Sequence, residues 1–526
     1  MFAEHGGFAP FTCDNAHNFR ADPMLPLFCV EHQRTFRVYG GFPRYLECHS
    51  MTMHRAATLA AIILTAAAPL GAQKPAPKKQ PIVKYVAPAT TQFRVPVEYF
   101  TLSNGLRVVM SRDTTAPTVA VGVYYRVGFR TEPRDRTGFA HLFEHLMFQG
   151  SGNLGKLEFI KLIESNGGIL NGSTRFDFTN YYELVPSNTL ETILWAEADR
   201  MKGLAIDTAN INNQRDVVKN EVRVNVKNQP YGSFPWIDVP MVANTNWANA
   251  HDFYGDFKDL DAASLANAAA FFRTYYAPNN AVLAIVGDFT QVQARTWVEK
   301  YFGGIPASNP APTPDLFEPP QTVERTGSRV DSLANRPAIA VAWHMPPRFT
   351  PEWYAMGIID QLMGQGRDSR LYDALVQQTS LTGDVNAGIN WGLGNQFDYA
   401  GPMLWMITAY HDSDKPSSAL LDVINAEFET LRTTPIDAKT LARAKTKMKS
   451  ALYSAAEEQL GLGKLNLLAS FALFDGEPAR INQLDAGFAA VTPQLILTTA
   501  REYLRQNQRT VYTIIPGAKS ASGGGR

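Results

Sequence analysis

The sequence predicts an α+β protein built from two homologous domains in tandem, and three observations carry that prediction. First, runs that alternate apolar and polar residues are interspersed with segments whose apolar residues recur at helical spacing, so both element types are present. Second, the later half loosely repeats the earlier one. Ala338-Ile-Ala-Val-Ala-Trp343 stands over Thr118-Val-Ala-Val-Gly-Val123, Gln361-Leu-Met-Gly-Gln-Gly366 over His145-Leu-Met-Phe-Gln-Gly150, and Val511 to Gly517 over Val282 to Gly287. Matches in the same order argue an internal duplication. Third, residues 306–321 form a proline-rich linker that separates the halves. A chain of 526 residues is long enough to give each half its own core.

The N-terminus is organised differently. Residues 1–50 lack clear periodicity and hold all three cysteines, Cys13, Cys29 and Cys48. They end before a short basic start at Met51 to Arg55, an apolar run from Ala56 to Leu70, and small residues at Gly71 and Ala72. That succession describes a secretory signal peptide at 51–72, too short to span a bilayer comfortably, with translation starting at Met51 or Met53 and 1–50 an over-extended start. The expected mature protein is exported, periplasmic or secreted, without cysteine and without a membrane span. Residues 73–94, rich in Pro, Lys and Ala, read as a flexible leader.

From there the elements follow in order. Val97 to Met110 reads as a hairpin turning at Asn104-Gly105. Thr118 to Val127 is a strand. Thr137 to Gly150 is a helix with Thr137 as a plausible N-cap and Phe139, Leu142, Leu146 and Met147 on its apolar stripe. Leu157 to Asn166 is a helix stopped by Gly167-Gly168, and Ile169 to Val185 contains two strands. Leu190 to Met201, Gln214 to Arg223 and Ser264 to Tyr276 are helices, and Ala281 to Val286 is a buried strand. The earlier domain is assigned to 95–305, the later one to 322–517, and 518–526 to a flexible tail. Net charge is zero with 19% charged residues, which excludes an obvious nucleic-acid surface.

The helix at 137–150 carries the chemistry. His141 and His145 are four apart, so both rings leave one face, one turn apart, a spacing that suits one Zn2+. Glu144 lies on the same side and could take a proton from a metal-bound water without being a ligand. The order is HxxEH, a known zinc-peptidase signature. The bland alternative is a helix that happens to carry two histidines. Such a site also needs a third protein ligand and an open position for water. Glu221 sits on a downstream helix, but by itself it is one surface carboxylate among many.

An HxxEH followed 76 residues later by a glutamate resembles the pitrilysin-type, or M16, metallopeptidases, in the two-domain bacterial branch similar to mitochondrial processing peptidase subunits. The similarity runs from about Val95 to Gly517. It implies an M16-type fold in which each domain is an antiparallel-rich sheet packed with helices, one Zn2+ per chain held by His141, His145 and Glu221, and Glu144 as general base of an endopeptidase. It also implies that substrate peptide adds to a sheet edge beside the metal, with Asn171 and Gly172 as substrate contacts. Two departures from the family pattern stand out. Many relatives carry a glutamate seven residues before the ligand glutamate, where this chain has Gln214, expected to support ligand orientation without charge. Active relatives also use an Arg and a Tyr from the later half or a partner subunit to stabilise the oxyanion, and the matching positions here are Val376 and Gly383, which cannot donate a side-chain hydrogen bond.

The later domain cannot rebuild the metal site, because His141, Glu144 and His145 fall on Gly357, Asp360 and Gln361. The expectation is therefore the HxxEH-bearing subunit of a heterodimer whose related partner supplies the Arg/Tyr pair. The alternative is a non-catalytic scaffold or peptide-binding subunit of the same fold. His251, His344 and His411 read as structural. The sequence does not give the peptide substrate or its cleavage preference.

Overall fold

The computed structural model describes residues 94–517. The segments read above as an over-extended start, a signal peptide, nearly all of a leader and a tail, together with the three cysteines, lie outside the described residues.

The first sheet holds β1 (Glu98–Thr101), β2 (Arg107–Arg112), β3 (Thr118–Tyr125), β4 (Ile169–Thr174), β5 (Thr179–Pro186) and β6 (Ala281–Gly287), in the order β1-β2-β6-β3-β5-β4. The β1–β2 hairpin turns where Asn104-Gly105 predicts, with Glu98 opposite Met110 and Gly105 at φ +86°. The second sheet holds β7 (Arg325–Asp331), β8 (Ala338–His344), β9 (Thr382–Ile389), β10 (Leu404–His411) and β11 (Arg509–Pro516), in the order β7-β11-β8-β10-β9. In each sheet one pair is parallel, β2 with β6 and β7 with β11, and every other pair is antiparallel. Apart from β1 the two sheets share one topology, with β7, β11, β8, β10 and β9 in the places of β2, β6, β3, β5 and β4. The sequence repeat aligned β8 with β3 and β11 with β6, and both pairs occupy equivalent places.

One face of the first sheet packs on α1 (Phe139–Leu146) and on α3 (Leu190–Lys202), which follows α2 (Glu158–Ser165). Val121 and Val123 of β3, Leu142 and Phe143 of α1, and Ile193 and Leu194 of α3 are fully buried in this layer. The other face receives a helix from the far half of the chain, Leu462–Phe474. This helix is predominantly apolar around its circumference, broken by Lys464 and Asn466, as suits a helix packed on more than one side. It approaches so closely that a Cβ on Gly122 of β3 would stand 2.8 Å from Leu465 Cδ2. The exchange is mutual. The short helix Asp238–Ala243, from the first half of the chain, lies on the second sheet, where Phe234, Val239 and Ala243 are buried against Ala338, Ala340, Ala342 and Tyr512. Neither half of the sequence therefore completes its own core. The proline-rich stretch contains no helix or strand, but it is tied down: Asn246 Nδ2 donates to the carbonyls of Asp315 and Phe317, and Glu318 accepts from the backbone of Thr245 and Asn246.

On the face covered by α1 and α3, Arg200 is buried against two carboxylates, Glu183 at 3.3 Å and Glu197, with its guanidinium 3.6 Å from the Phe159 ring centroid. Removing the cation strands two buried acids. Arg200→Met is expected to destabilise the fold by roughly 3–5 kcal/mol, read from the shift of the urea unfolding midpoint at constant slope.

Candidate metal centre

Burial of Phe139, Leu142, Phe143 and Leu146 fixes the rotation of α1, and this turns His141 and His145 toward α4 (Thr208–Val222). α4 starts with the Asp207 side chain accepting from Asn210 N and buries Ile211, Val218 and Val222, which leaves Glu221 facing the two rings. The ring centroids of His141 and His145 are 5.0 Å apart and nearly perpendicular, at 84°. Glu221 Oε1 lies 3.8 Å from His141 Nε2, and Glu221 Oε2 lies 3.2 Å from His145 Nε2. Among the described residues this is the one group of three or more His, Cys, Asp or Glu whose ligand atoms converge, all within 4.8 Å of one another.

Those separations suit zinc. A tetrahedral ion with bonds of ~2.0–2.1 Å sets its ligand atoms about 3.3 Å apart, between the two imidazole–carboxylate distances seen here. The electrostatics agree. Burial works against a charged His145, but the hydrogen bond and charge of Glu221, the charge of Glu144 and a hydrogen bond to Gln214 outweigh it, and the pKa of the ring is raised. A pocket that favours positive charge on an imidazole also favours a cation between the imidazoles. Gln214 is buried beside His145, and its Nε2 donates to Asn213 Oδ1 at 2.8 Å.

Glu144 stands half-buried next to the ligand pair, and its Oε2 accepts from Thr174 Oγ1 at 2.7 Å. Thr174 ends β4, the edge strand, which pairs on one side only, with β5. Asn171 and Gly172 lie on the same strand. Asn171 Oδ1 accepts from Gly172 N at 2.8 Å, and a Cβ on Gly172 would stand 3.2 Å from Glu144 Cγ and 3.4 Å from the Phe148 ring. Glycine there leaves the edge backbone close to Glu144. Thr174 is a residue that sequence reasoning missed, since a threonine in a strand carries no signal of its own.

The start of α1 differs from expectation. Thr137 is not the N-cap; Gly138, at φ +83°, holds that position. The Thr137 hydroxyl donates instead to Asp259 Oδ2. The first-turn amides are met by Glu132, whose carboxylate accepts from Gly138 N at 2.8 Å and from Ala140 N. An acidic residue answering a helix N-terminus from six positions upstream has no spacing rule that would have found it. Burial pushes the Glu132 pKa up to about 8, against the lowering effect of the two amides. The folded protein therefore keeps a proton that the unfolded chain has lost. The stability tied to this group is complete below the ordinary carboxylate range and is lost as pH rises toward 8. Glu132→Gln, which cannot ionise, should flatten this part of the dependence of Tm on pH between about 5 and 8.5, measured by calorimetry.

The other sequence candidates lie apart from the metal group. His251 stacks on Trp247 with centroids 4.1 Å apart, His344 Nε2 meets Asn244 Oδ1 at 3.0 Å, and His411 Nε2 meets Ser417 Oγ at 2.9 Å. In the second half, Asp360 is used in packing: its Oδ1 accepts from Trp405 Nε1 at 2.7 Å, and burial raises its pKa to about 6. Val376 lies in a widened helical turn, Asp373–Gln378, and Gly383 lies on edge strand β9.

Comparison with known proteins identifies the family. The family description Insulinase (Peptidase family M16) matches residues 107–247, and Peptidase M16 inactive domain matches residues 262–448. The chain belongs to peptidase family M16. It carries two M16 domains, of mixed α/β build. Within the family it is 25% identical over 425 residues to zinc protease PqqE of Helicobacter pylori, covering 80% of this chain and 93% of that one. The crystal structure of a protease from Helicobacter pylori superposes with a TM-score of 0.73 at 25% identity, covering 80% of this chain and all of that one. The probable mitochondrial-processing peptidase subunit beta of Arabidopsis thaliana is 25% identical over 269 residues, half of each chain.

Proposed function

We propose that this M16 chain is the zinc-bearing subunit of an endopeptidase. The observation that carries the reading is the convergence of His141, His145 and Glu221 beside a glutamate, Glu144, that is oriented by Thr174 at an open sheet edge. Zinc held by His141, His145 and Glu221 would supply Lewis acidity toward the scissile carbonyl and lower the pKa of the attacking water. Glu144 then takes the proton of that water and passes it to the leaving amine. Thr174 donates to Oε2 and keeps the other carboxylate oxygen of Glu144 for proton transfer. The substrate binds as an added strand on β4, with Asn171 and Gly172 as its contacts and the Gly172 backbone beside Glu144. Gln214 orients His145 through a neutral amide. Zinc protease is also the name carried by the Helicobacter relative.

The chain lacks a donor for the oxyanion at the positions where active relatives are expected to have one, since Val376 and Gly383 offer no side-chain N–H or O–H. A related M16 subunit with an Arg and a Tyr there completes the site. The Arabidopsis relative is itself named as one subunit of a peptidase. We further propose that the mature protein is exported, from the signal-peptide pattern at 51–72; among the described residues no helix is long and apolar enough to cross a membrane.

The same missing donors favour a second reading, a peptide-binding subunit without catalysis. Hydrolysis of an internally quenched peptide, abolished by a chelator and restored by zinc, distinguishes the two. The endopeptidase reading expects this behaviour in the complex with the related subunit, and the peptide-binding reading expects no hydrolysis in any combination.

A further inference from the structure

The turn that joins β4 to β5, residues 175–178, faces the later half of the chain. The Phe178 ring centroid lies 6.0 Å from that of Phe474, and the charge of Arg175 acts on the buried Asp398. Asp177 Oδ2 accepts from the backbone of Ala400 at 2.8 Å and of Gly401 at 3.3 Å. The same carboxylate pairs with Arg130 at 3.4 Å, and both side chains are only 3% exposed. Arg130 closes the cluster: its Nη2 donates to the carbonyl of Pro402, and its guanidinium lies 4.5 Å from the Phe176 ring centroid. Main-chain bonds add to this, with Phe129 N donating to Arg175 O at 3.3 Å and Arg130 N to Phe176 O at 3.1 Å. One buried carboxylate therefore ties together the turn, a stretch upstream of α1, and residues 400–402 of the later half.

The cluster sits close to the proposed chemistry. Thr174, the last residue of β4, donates to Glu144 and lies three residues before Asp177. β4 pairs with β5 alone, so its placement depends on that one neighbour and on the turn between them. A buried ion pair is a weak source of net stability beside apolar side chains of like volume, but it permits few geometries. Strand addition needs such a fixed geometry, because the substrate backbone must find the strand edge at a set distance from Glu144.

We propose that Asp177 is a positioning residue: through it, residues 400–402 of the later half hold the β4–β5 turn and set where the edge strand meets the substrate. The proposal rests on the endopeptidase reading. It deepens that reading by giving the later half, which contributes none of the three converging ligands, a part in substrate binding. Asp177 acts through β4 and not on the substrate itself.

The test uses the full chain together with the related subunit that supports hydrolysis, and compares Asp177→Ala, Asp177→Asn and Gly401→Ala with the parent. The last acts from the later half: a Cβ on Gly401 would collide with Arg130 Nη1, while the turn keeps its sequence. Zinc content, Tm, and kcat and KM for a quenched peptide are measured, the kinetics well below Tm so that only folded chain is read. Binding of a labelled peptide to the same proteins is read by fluorescence anisotropy. Asp177→Ala is expected to lower kcat/KM by about 10²-fold, the effect of a small misplacement away from the chemistry, with KM carrying most of the change and zinc content unaltered. Asp177→Asn, whose amide oxygen still accepts from Ala400 N, should recover part of the loss, and Gly401→Ala should also raise KM. A parent-like KM in folded variants overturns the proposal and leaves the ion pair a packing element. Loss of zinc in Asp177→Ala overturns it too, because the turn would then support the metal group. So does a parent-like Gly401→Ala beside an impaired Asp177→Ala, which would show that the later half takes no part. Should Asp177→Ala not fold, the other two variants decide. Failure of the parent to hydrolyse the peptide counts instead against the endopeptidase reading, and the anisotropy comparison then decides the strand placement by itself.

Discussion

Replacing Glu144 by Gln is expected to leave zinc bound at the level of the parent chain while lowering kcat by about 10²–10⁴-fold. The two outcomes separate because Glu144 is not among the converging ligand atoms, which belong to His141, His145 and Glu221. An amide at 144 can still accept from Thr174 Oγ1, as the carboxylate does at 2.7 Å, so the side chain keeps its place. It cannot accept the proton of the attacking water. Metal analysis and steady-state kinetics on the same preparation check the prediction, with KM changing less than kcat, the pattern of an interaction made in the transition state. A variant that loses zinc along with activity would place Glu144 among the ligands.

The second large effect concerns the partner. Hydrolysis by the purified chain alone should be low, and addition of a related subunit with the Arg and Tyr should raise kcat by about 10²–10³-fold, the contribution of an oxyanion donor. The reason lies at two positions. Val376 and Gly383 occupy the widened turn and the edge strand where the second half would have presented such donors. A titration of the related subunit against a fixed concentration of this chain, read by peptide hydrolysis, should saturate at equimolar ratio. Full activity without any partner would show that another group of this chain performs the role.

Much of this architecture was legible in the sequence, for identifiable reasons. Strands β3, β6, β8 and β11 are buried runs rich in β-branched and small residues, and their repetition announced two sheets of one topology. Asn104-Gly105 marked a hairpin, and Gly105, at φ +86°, takes the left-handed position of its loop. The HxxEH helix was legible because its apolar stripe and its two imidazoles follow the same period. What remained hidden depends on packing between distant segments. Nothing local in Leu462–Phe474 says that it covers the first sheet, and nothing in Asp238–Ala243 says that it covers the second. The start of α1 was misjudged for a related reason. Thr137 has the composition of a cap, but Asp259 competes for its hydroxyl and Glu132 meets the amides from outside the helix. Glu221 needed the family resemblance, because one exposed-looking carboxylate on a polar helix is distinguished only by what it faces.

The central claim is that two imidazoles and a carboxylate from separate helices hold a single zinc. The most direct measurement is the metal content of the purified chain, by elemental mass spectrometry after zinc loading and removal of excess, for the parent and for His145→Ala and Glu221→Ala. The account predicts one tightly held zinc per parent chain and its loss in both variants while the fold persists. A parent chain that retains no zinc, or variants that retain it in full, would contradict it.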